Sequence, residues 1–179
     1  MVLKEPLTGD LVELMTCEIA DAEYTLLIRQ DPALDGCMPV LDISLEQQIE
    51  WIRRQRETEG DYFLVIWDRR SNTRIGTISL YDIHDRTDIE SMNDSEGTIG
   101  KECEFGRLIC RGGHERTLEA MKLILDFGFR VLRVDWITCY AYYGNERAIR
   151  LYQEMGFTKL CDDTDRYGIP IVRMMLRKV

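Results

Sequence analysis

Two stretches of this chain hold residue types at spacings that chemistry can use. The first is NERAIRLYQEMGF, Asn145 to Phe157. On a helix it sets an amide, Asn145, and a phenol, Tyr152, about two turns apart. The same letters also describe an ordinary amphipathic helix, with Asn145 as N-cap and Gly156 as its stop. The second stretch is Arg111-Gly112-Gly113, followed by a helical run. Free backbone N–H groups at a helix start, with the helix dipole, make an anion site. Arg111 and Arg116 add positive charge at both ends of that turn, and a pyrophosphate fits the electrostatics. A turn that needs glycine only for its dihedrals explains the same residues. Just before it, Glu102 and Glu104 fall on one face if the strand continues.

These residues have to be positioned by a fold, and bulk composition bounds which one. The 179 residues suit one domain with its own core. Hydrophobic residues make up 45% and charged residues 31%, the mix of a soluble globular protein. The net charge of -9 argues against a nucleic-acid binder, which needs a basic stripe. No run approaches the roughly 18 apolar residues of a membrane span, so no membrane partner is expected. The Met1 end carries Lys4, Glu5 and Asp10 and no apolar signal-peptide core. Six cysteines without a C-x-x-C pair and only two histidines, His84 and His114, give no metal-site pattern. They read as reduced thiols in a cytoplasmic protein.

Residues 1–60 read as mostly helical. Asp10 is a cap for a helix carrying Leu11, Leu14 and Met15, and a second helix covers roughly Ala20 to Arg29. Ser44 and Gln47 form a capping box for a third, ending near Gly60. Tyr62–Trp67 and Arg74–Tyr81 are the strands of an antiparallel hairpin around the polar turn DRRSNT. Residues 85–101 read as an acidic loop. Cys103–Cys110 resumes strand character. The glycine turn and a helix follow, with Leu118, Met121 and Leu125 on one stripe and Ile124, Phe127 and Val131 beside it. RVDWITCY is a strand, the Asn145 helix comes next, and FTKL and IPIVRMMLR are two last strands. That order predicts a single mixed α/β sheet, partly antiparallel.

The closing stretch resembles a motif of the GCN5-related N-acetyltransferases, Asn-x-x-Ala-x-x-Leu-Tyr-x-x-x-Gly-Phe. Asn145, Ala148, Leu151, Tyr152, Gly156 and Phe157 fill every position of it. EFGRLI, the glycine turn and LEAMKLILDFGF are similar to the family's central strand and acetyl-CoA helix, and YFLVIW…RIGTISLYDI is similar to the preceding hairpin. The resemblance covers roughly Tyr62 to Leu176. It implies an α/β fold with a mostly antiparallel central sheet flanked by helices. In this single domain, residues 1–60 would form the acceptor-side region and 61–179 the acetyl-CoA-binding core.

The resemblance further implies direct transfer of acetyl from acetyl-CoA to an amine. Tyr152 matches the acid near the sulfur, and Glu104 sits where the family often carries a carboxylate base. The cofactor-binding set becomes Leu108, Ile109 and Cys110 of the strand, Arg111, Gly112, Gly113, His114, Glu115 and Arg116 of the turn, and Asn145, Arg147 and Tyr152 of the last helix. No metal is implied. The turn departs from the family pattern, Arg or Gln, two residues, Gly, one residue, Gly or Ala. Counted from Arg111, the small positions fall on His114 and Arg116. Either these side chains crowd the phosphates, or the loop shifts register and Arg116 reaches the phosphate itself.

The acceptor is expected to be a small-molecule amine such as an amino sugar. A protein N-terminus and a non-catalytic acyl-CoA sensor are the alternatives. His84 and Asp82, at the end of the hairpin strand, are further candidates for the acceptor pocket. The apolar C-terminal strand is suited to pairing with a second subunit, and dimers are common in the family.

Overall fold

The computed structural model describes residues 1–34, 42–86 and 100–178. Eight strands form one sheet: β1 (Leu7–Thr8), β2 (Val12–Thr16), β3 (Tyr62–Asp68), β4 (Thr73–Arg86), β5 (Gly100–Cys110), β6 (Trp136–Tyr142), β7 (Thr158–Thr164) and β8 (Pro170–Arg177). The helices are α1 (Ala22–Arg29), α2 (Leu45–Glu57), α3 (His114–Phe127) and α4 (Glu146–Glu154). The strand order is β1-β2-β3-β4-β5-β6-β8-β7. All described neighbours are antiparallel except β5 and β6. The expected mixed, mostly antiparallel sheet flanked by helices is the observed one.

Two apolar layers cover the sheet. On one side α3 and α4 bury Met121, Ile124 and Tyr152 against Leu64, Ile66, Leu80, Cys103 and Phe105. On the other, α1 and α2 bury Ala22 and Ile52 against Cys17, Phe63 and Val65. Strand β3 therefore reads as a continuous apolar run, because its two alternating side-chain sets both meet helices.

The helix expected after Asp10 is instead strand β2, paired with β3. Burial decides between the two periods: Val12 and Leu14 are 0% exposed, while Leu11 and Met15 are 36% and 37% exposed. Apolar residues at these spacings fit a strand as well as a helical face, and the open edge of β3 selects the strand. The turn into β2 is closed from α3, where Glu119 accepts the backbone N–H groups of Asp10, Leu11 and Val12 at 2.9, 2.7 and 2.7 Å. Helix α2 starts at the predicted capping box, with Ser44 N–H donating to Gln47 Oε1 at 2.8 Å and Gln47 N–H to Ser44 Oγ at 3.3 Å.

Three further boundaries differ from expectation. Helix α3 ends at Phe127 and passes into a π-helical turn over Gly128–Leu132, so Val131 is turned outward and is 64% exposed. Strand β4 runs past Tyr81 to Arg86, and β5 begins at Gly100. The ends of the expected acidic loop are therefore strand, and the rest of it lies outside the described residues. Strand β4 stays paired with β5 through register shifts between Thr77 and Ser79 and between Tyr81 and His84. Asp82 and Arg107 take left-handed backbone angles, φ 53° and 51°, at these irregularities. Such bulges bend a strand and re-aim its side chains. No helix among the described residues is long and apolar enough to cross a membrane.

Candidate active site

The site grows from the one parallel pair. Strands β5 and β6 pair only at Glu102–Trp136, Cys103–Ile137 and Glu104–Thr138. Beyond Thr138 they part, β5 staying with β4 and β6 with β8. Thr138 closes the ladder, its hydroxyl lying 3.2 Å from Glu102 Oε1 and 3.4 Å from Cys103 O. From Phe105 to Cys110 the β6-facing edge of β5 thus has no strand partner among the described residues. The bulge at Arg107, whose carbonyl accepts the Thr77 hydroxyl at 3.0 Å, falls in this segment. The split opens a slot between two strands of one sheet, lined on one edge by backbone groups of Leu108, Ile109 and Cys110.

Helix α4 places Tyr152 on one side of the slot. Asn145 Oδ1 caps the helix by accepting Ala148 N–H at 3.1 Å. Gly156, at φ 89°, ends it, and Phe157 N–H returns to Tyr152 O at 3.0 Å. The stop turns Phe157 under the sheet, so Tyr152 packs between Phe105 and Phe157 with both ring centroids 5.9 Å away. Tyr152 is buried, and its hydroxyl makes no hydrogen bond among the described residues. Burial, and then the neighbouring Cys139 and Tyr140, push its pKa well above the ordinary phenol value. It therefore keeps its proton throughout the neutral range and has a hydrogen to donate.

Glu104 faces the other side. It alternates with Phe105, whose ring touches Tyr152, and so stands on the α1–α2 face of β5. Its carboxylate accepts the Tyr81 hydroxyl. Burial raises the Glu104 pKa above the usual glutamate value, while the Tyr81 hydrogen bond and Arg173 hold it down. Cys139 on β6 lies close enough to influence both Glu104 and Tyr152. A buried carboxyl and a buried phenol thus approach one slot from opposite faces of the sheet. Glu102, the other predicted carboxylate, lies against Thr138 where the two strands are still paired.

The glycine turn leads from the end of β5 into α3. Gly113 is the N-cap, with φ 83° and ψ 179°, a region that essentially only glycine occupies. A Cβ at Gly112 would lie 2.5 Å from Ile75 Cδ1. No side chain caps α3, so the first N–H groups of the helix have no acceptor within it. His114 is drawn aside to α4, with Nε2 3.1 Å from Glu154 Oε1. Arg116 is drawn to the opposite side and bonds Asp68 at the end of β3. The Arg116 stem packs beside Gly112 while its guanidinium is engaged by Asp68. Asp68 also accepts Arg70 and Ser71 N–H at 2.8 and 2.9 Å, and these bonds, that of Ser71 first, keep its carboxyl below the usual range. Arg111 pairs with Asp31 beyond α1. Glu115 is exposed in the first turn. Between the first turn of α3 and α4 lies a cleft of about 290 Å³ lined by His114, Thr117, Arg147, Arg150, Leu151 and Glu154. Its two arginines and the uncapped helix end suit an extended polyanion.

Several residues around the site were not legible as site residues. Tyr81 meets Glu104 because the register of β4 and β5 pairs them directly. Arg107 lies over the Tyr81 ring at 4.2 Å and is held by Asp61 at 2.7 and 2.9 Å. Arg29, at the end of α1, comes close to Tyr140, Tyr142 and Arg107, and its burial lowers its pKa. His84 and Asp82 are exposed, with His84 Nδ1 2.8 Å from Asp82 O.

Comparison with known proteins identifies the family and the fold. The acetyltransferase (GNAT) domain family matches residues 12–158. Acetyltransferase PseH of Campylobacter jejuni is 27% identical over 155 residues, covering 85% of this chain and 87% of that protein. Among solved structures, apo FdhC, described as a nucleotide-linked sugar GNAT, superposes with a TM-score of 0.79 at 20% identity, over 98% of this chain and 91% of its own. Spermidine N-acetyltransferase from Vibrio cholerae, in complex with CoA and spermine, gives 0.76 at 16% identity, over 94% and 96%. With the family model matched over residues 12–158, the chain belongs to the GNAT family, the acetyl-CoA-dependent N-acetyltransferases.

Proposed function

We propose that this enzyme acetylates the amino group of a small molecule, an amino sugar carried on a nucleotide. The observation that carries the catalytic part is the approach of Glu104 and Tyr152 to one slot from opposite faces. Acetyl-CoA supplies the acetyl group and a thiolate leaving group. The β5 edge from Leu108 to Cys110 would hold its pantetheine arm, and the uncapped start of α3 at Gly113–Arg116 would hold its pyrophosphate. Arg147 of the α3–α4 cleft would add charge for the remaining phosphate, and Asn145 fixes the start of the helix that bears Tyr152.

Glu104 accepts the proton that the acceptor ammonium must lose before it can attack. Its raised pKa brings it closer to the amine's own and so makes it a better base than an exposed glutamate. Backbone N–H groups on the free edge of β5 stabilise the negative charge that develops on the carbonyl oxygen. Tyr152 donates its hydroxyl to the departing sulfur. Because its own pKa is pushed up, it acts as a neutral donor rather than as a phenolate.

The acceptor reading rests on charge and on likeness. The face above the slot carries Arg29, Arg107 and Arg173, with Asp61 holding Arg107 and Asp163 holding Arg173. Their guanidinium groups offer hydrogen-bond donors to a phosphate of the acceptor. FdhC, a nucleotide-linked sugar GNAT, shares the fold. The test is a thiol-release assay with acetyl-CoA and four acceptors: a nucleoside diphosphate-linked amino sugar, the free amino sugar, spermidine and a peptide N-terminus. Turnover greatest with the nucleotide-linked sugar is expected. Preference for spermidine or peptide would overturn the acceptor assignment. Acetyl-CoA binding without thiol release from any amine would overturn the catalytic one and favour a sensor.

A further inference from the structure

The contact between Tyr81 and Glu104 is more elaborately built than a core tyrosine needs. The two residues are direct cross-strand partners on β4 and β5, and the Tyr81 hydroxyl donates to Glu104 Oε1. The ring is backed by the Arg107 guanidinium at 4.2 Å, and Arg107 is locked by both oxygens of buried Asp61 and stacked on Trp51 at 5.2 Å. Space for the hydroxyl is left by a missing side chain. A Cβ at Gly106 would lie 2.8 Å from Tyr81 Oη and 3.2 Å from Cε1. The backbone shapes itself to the same point, with the register of β4 shifting directly after Tyr81 and Arg107 held at φ 51°.

We propose that Tyr81 is a positioning residue for acetyl transfer: its hydroxyl, on a ring backed by Arg107, fixes one carboxylate oxygen of Glu104 and leaves the other for the acceptor's proton. This rests on the reading of Glu104 as the base. A tyrosine that only satisfied its own hydroxyl would fill space and change nothing at Glu104. Here the hydrogen bond goes to the one group whose ionisation the reaction uses, and it favours the ionised form against burial.

The other groups facing Glu104 do not duplicate this role. Arg107 on β5 and Arg173 on β8 favour the ionised form from a distance, and Asp82 on β4 opposes it. On β6, the Cys139 thiol is pushed up by burial and stays neutral. On β5 itself, Cys103 is likewise pushed up by burial, and Glu102 turns to Thr138. Tyr81 is the group that donates a hydrogen bond to Glu104 among the described residues.

The test is a ¹³C NMR titration of the full chain with glutamate labelled at the carboxyl carbon, the Glu104 signal being assigned by its loss in Glu104→Gln. It is paired with the pH profile of kcat/KM, using acetyl-CoA and a nucleoside diphosphate-linked amino sugar. In Tyr81→Phe the Glu104 signal is expected to titrate at higher pH than in the wild type. On the acid side kcat/KM falls by about 10-fold and recovers in alkali, the size expected of one hydrogen bond to a charged group. The KM for acetyl-CoA stays where it was. Gly106→Ala, which keeps the phenol but displaces its hydroxyl, moves the titration in the same direction and decides the matter if Tyr81→Phe does not fold. An unmoved Glu104 titration overturns the inference alone. Wild-type kcat/KM with an unchanged acid limb in Glu104→Gln overturns the base assignment, and this inference with it.

Discussion

Replacing Tyr152 by phenylalanine removes one oxygen and nothing else. The ring remains wedged between Phe105 and Phe157, at unchanged centroid distances of 5.9 Å. No hydrogen bond among the described residues is lost, because the hydroxyl makes none. The folding cost is therefore below about 1 kcal/mol, and the melting temperature moves by no more than a few degrees. In the proposed mechanism catalysis loses the donor to the departing sulfur, an effect of about 100-fold or more on kcat. The interaction forms as charge develops on sulfur, so the KM for acetyl-CoA stays within about threefold. Tyr152→Ala is a poorer probe, since truncating a buried aromatic costs about 3–5 kcal/mol and confounds folding with chemistry. Steady-state thiol release at saturating acceptor, with a melting curve on the same samples, reads both quantities. A Tyr152→Phe enzyme with kcat within about threefold of wild type would show the phenol to be packing, with the proton coming from elsewhere.

Other parts of the structure make equally definite predictions. Glu119→Ala leaves three backbone donors at the entry to β2 without their acceptor and should cost about 1–2 kcal/mol, read as a lower melting temperature with acetyl-CoA affinity unchanged. An unchanged melting temperature would mean that water replaces the carboxylate there. Gly113→Ala forces a Cβ onto a glycine-only conformation, costing about 1–3 kcal/mol, and should also weaken acetyl-CoA binding in calorimetry, because the start of α3 must reshape. Unaltered affinity would remove the pyrophosphate role from that turn. Glu104→Gln should melt above the wild type at neutral pH. The folded-state pKa of Glu104 is raised, so its ionisation destabilises the fold as pH rises from the unfolded value through the folded one. The difference should close in acid, below the ordinary glutamate value; a gap that persists there would point to a cause other than ionisation.

Helix α4 and the start of α2 were legible because their ends are written locally. Asn145 and Gly156 fix both ends of α4, and Ser44 with Gln47 does the same for the start of α2. The segment after Asp10 was not, since Leu11, Leu14 and Met15 satisfy two periodicities and only the edge of β3 chooses between them. Tyr152 and Glu104 could be placed by resemblance, but their arrival on opposite faces depends on where β5 and β6 part, which is a property of the assembled sheet. The odd turn RGGHER is the clearest example. Its side chains at His114 and Arg116 look obstructive in sequence, yet Glu154 and Asp68, both distant in the chain, draw them to either side. Tyr81 was invisible for the same reason: its partner is set by register, not by spacing.

A crystal structure of the complex with CoA tests the central claim most directly. The account predicts the pantetheine arm along the free edge of β5 at Leu108–Cys110, the pyrophosphate at the start of α3, and the sulfur within hydrogen-bonding reach of Tyr152 Oη. A CoA molecule bound elsewhere, or one whose sulfur lies far from Tyr152 on the α4 side of the sheet, would contradict it.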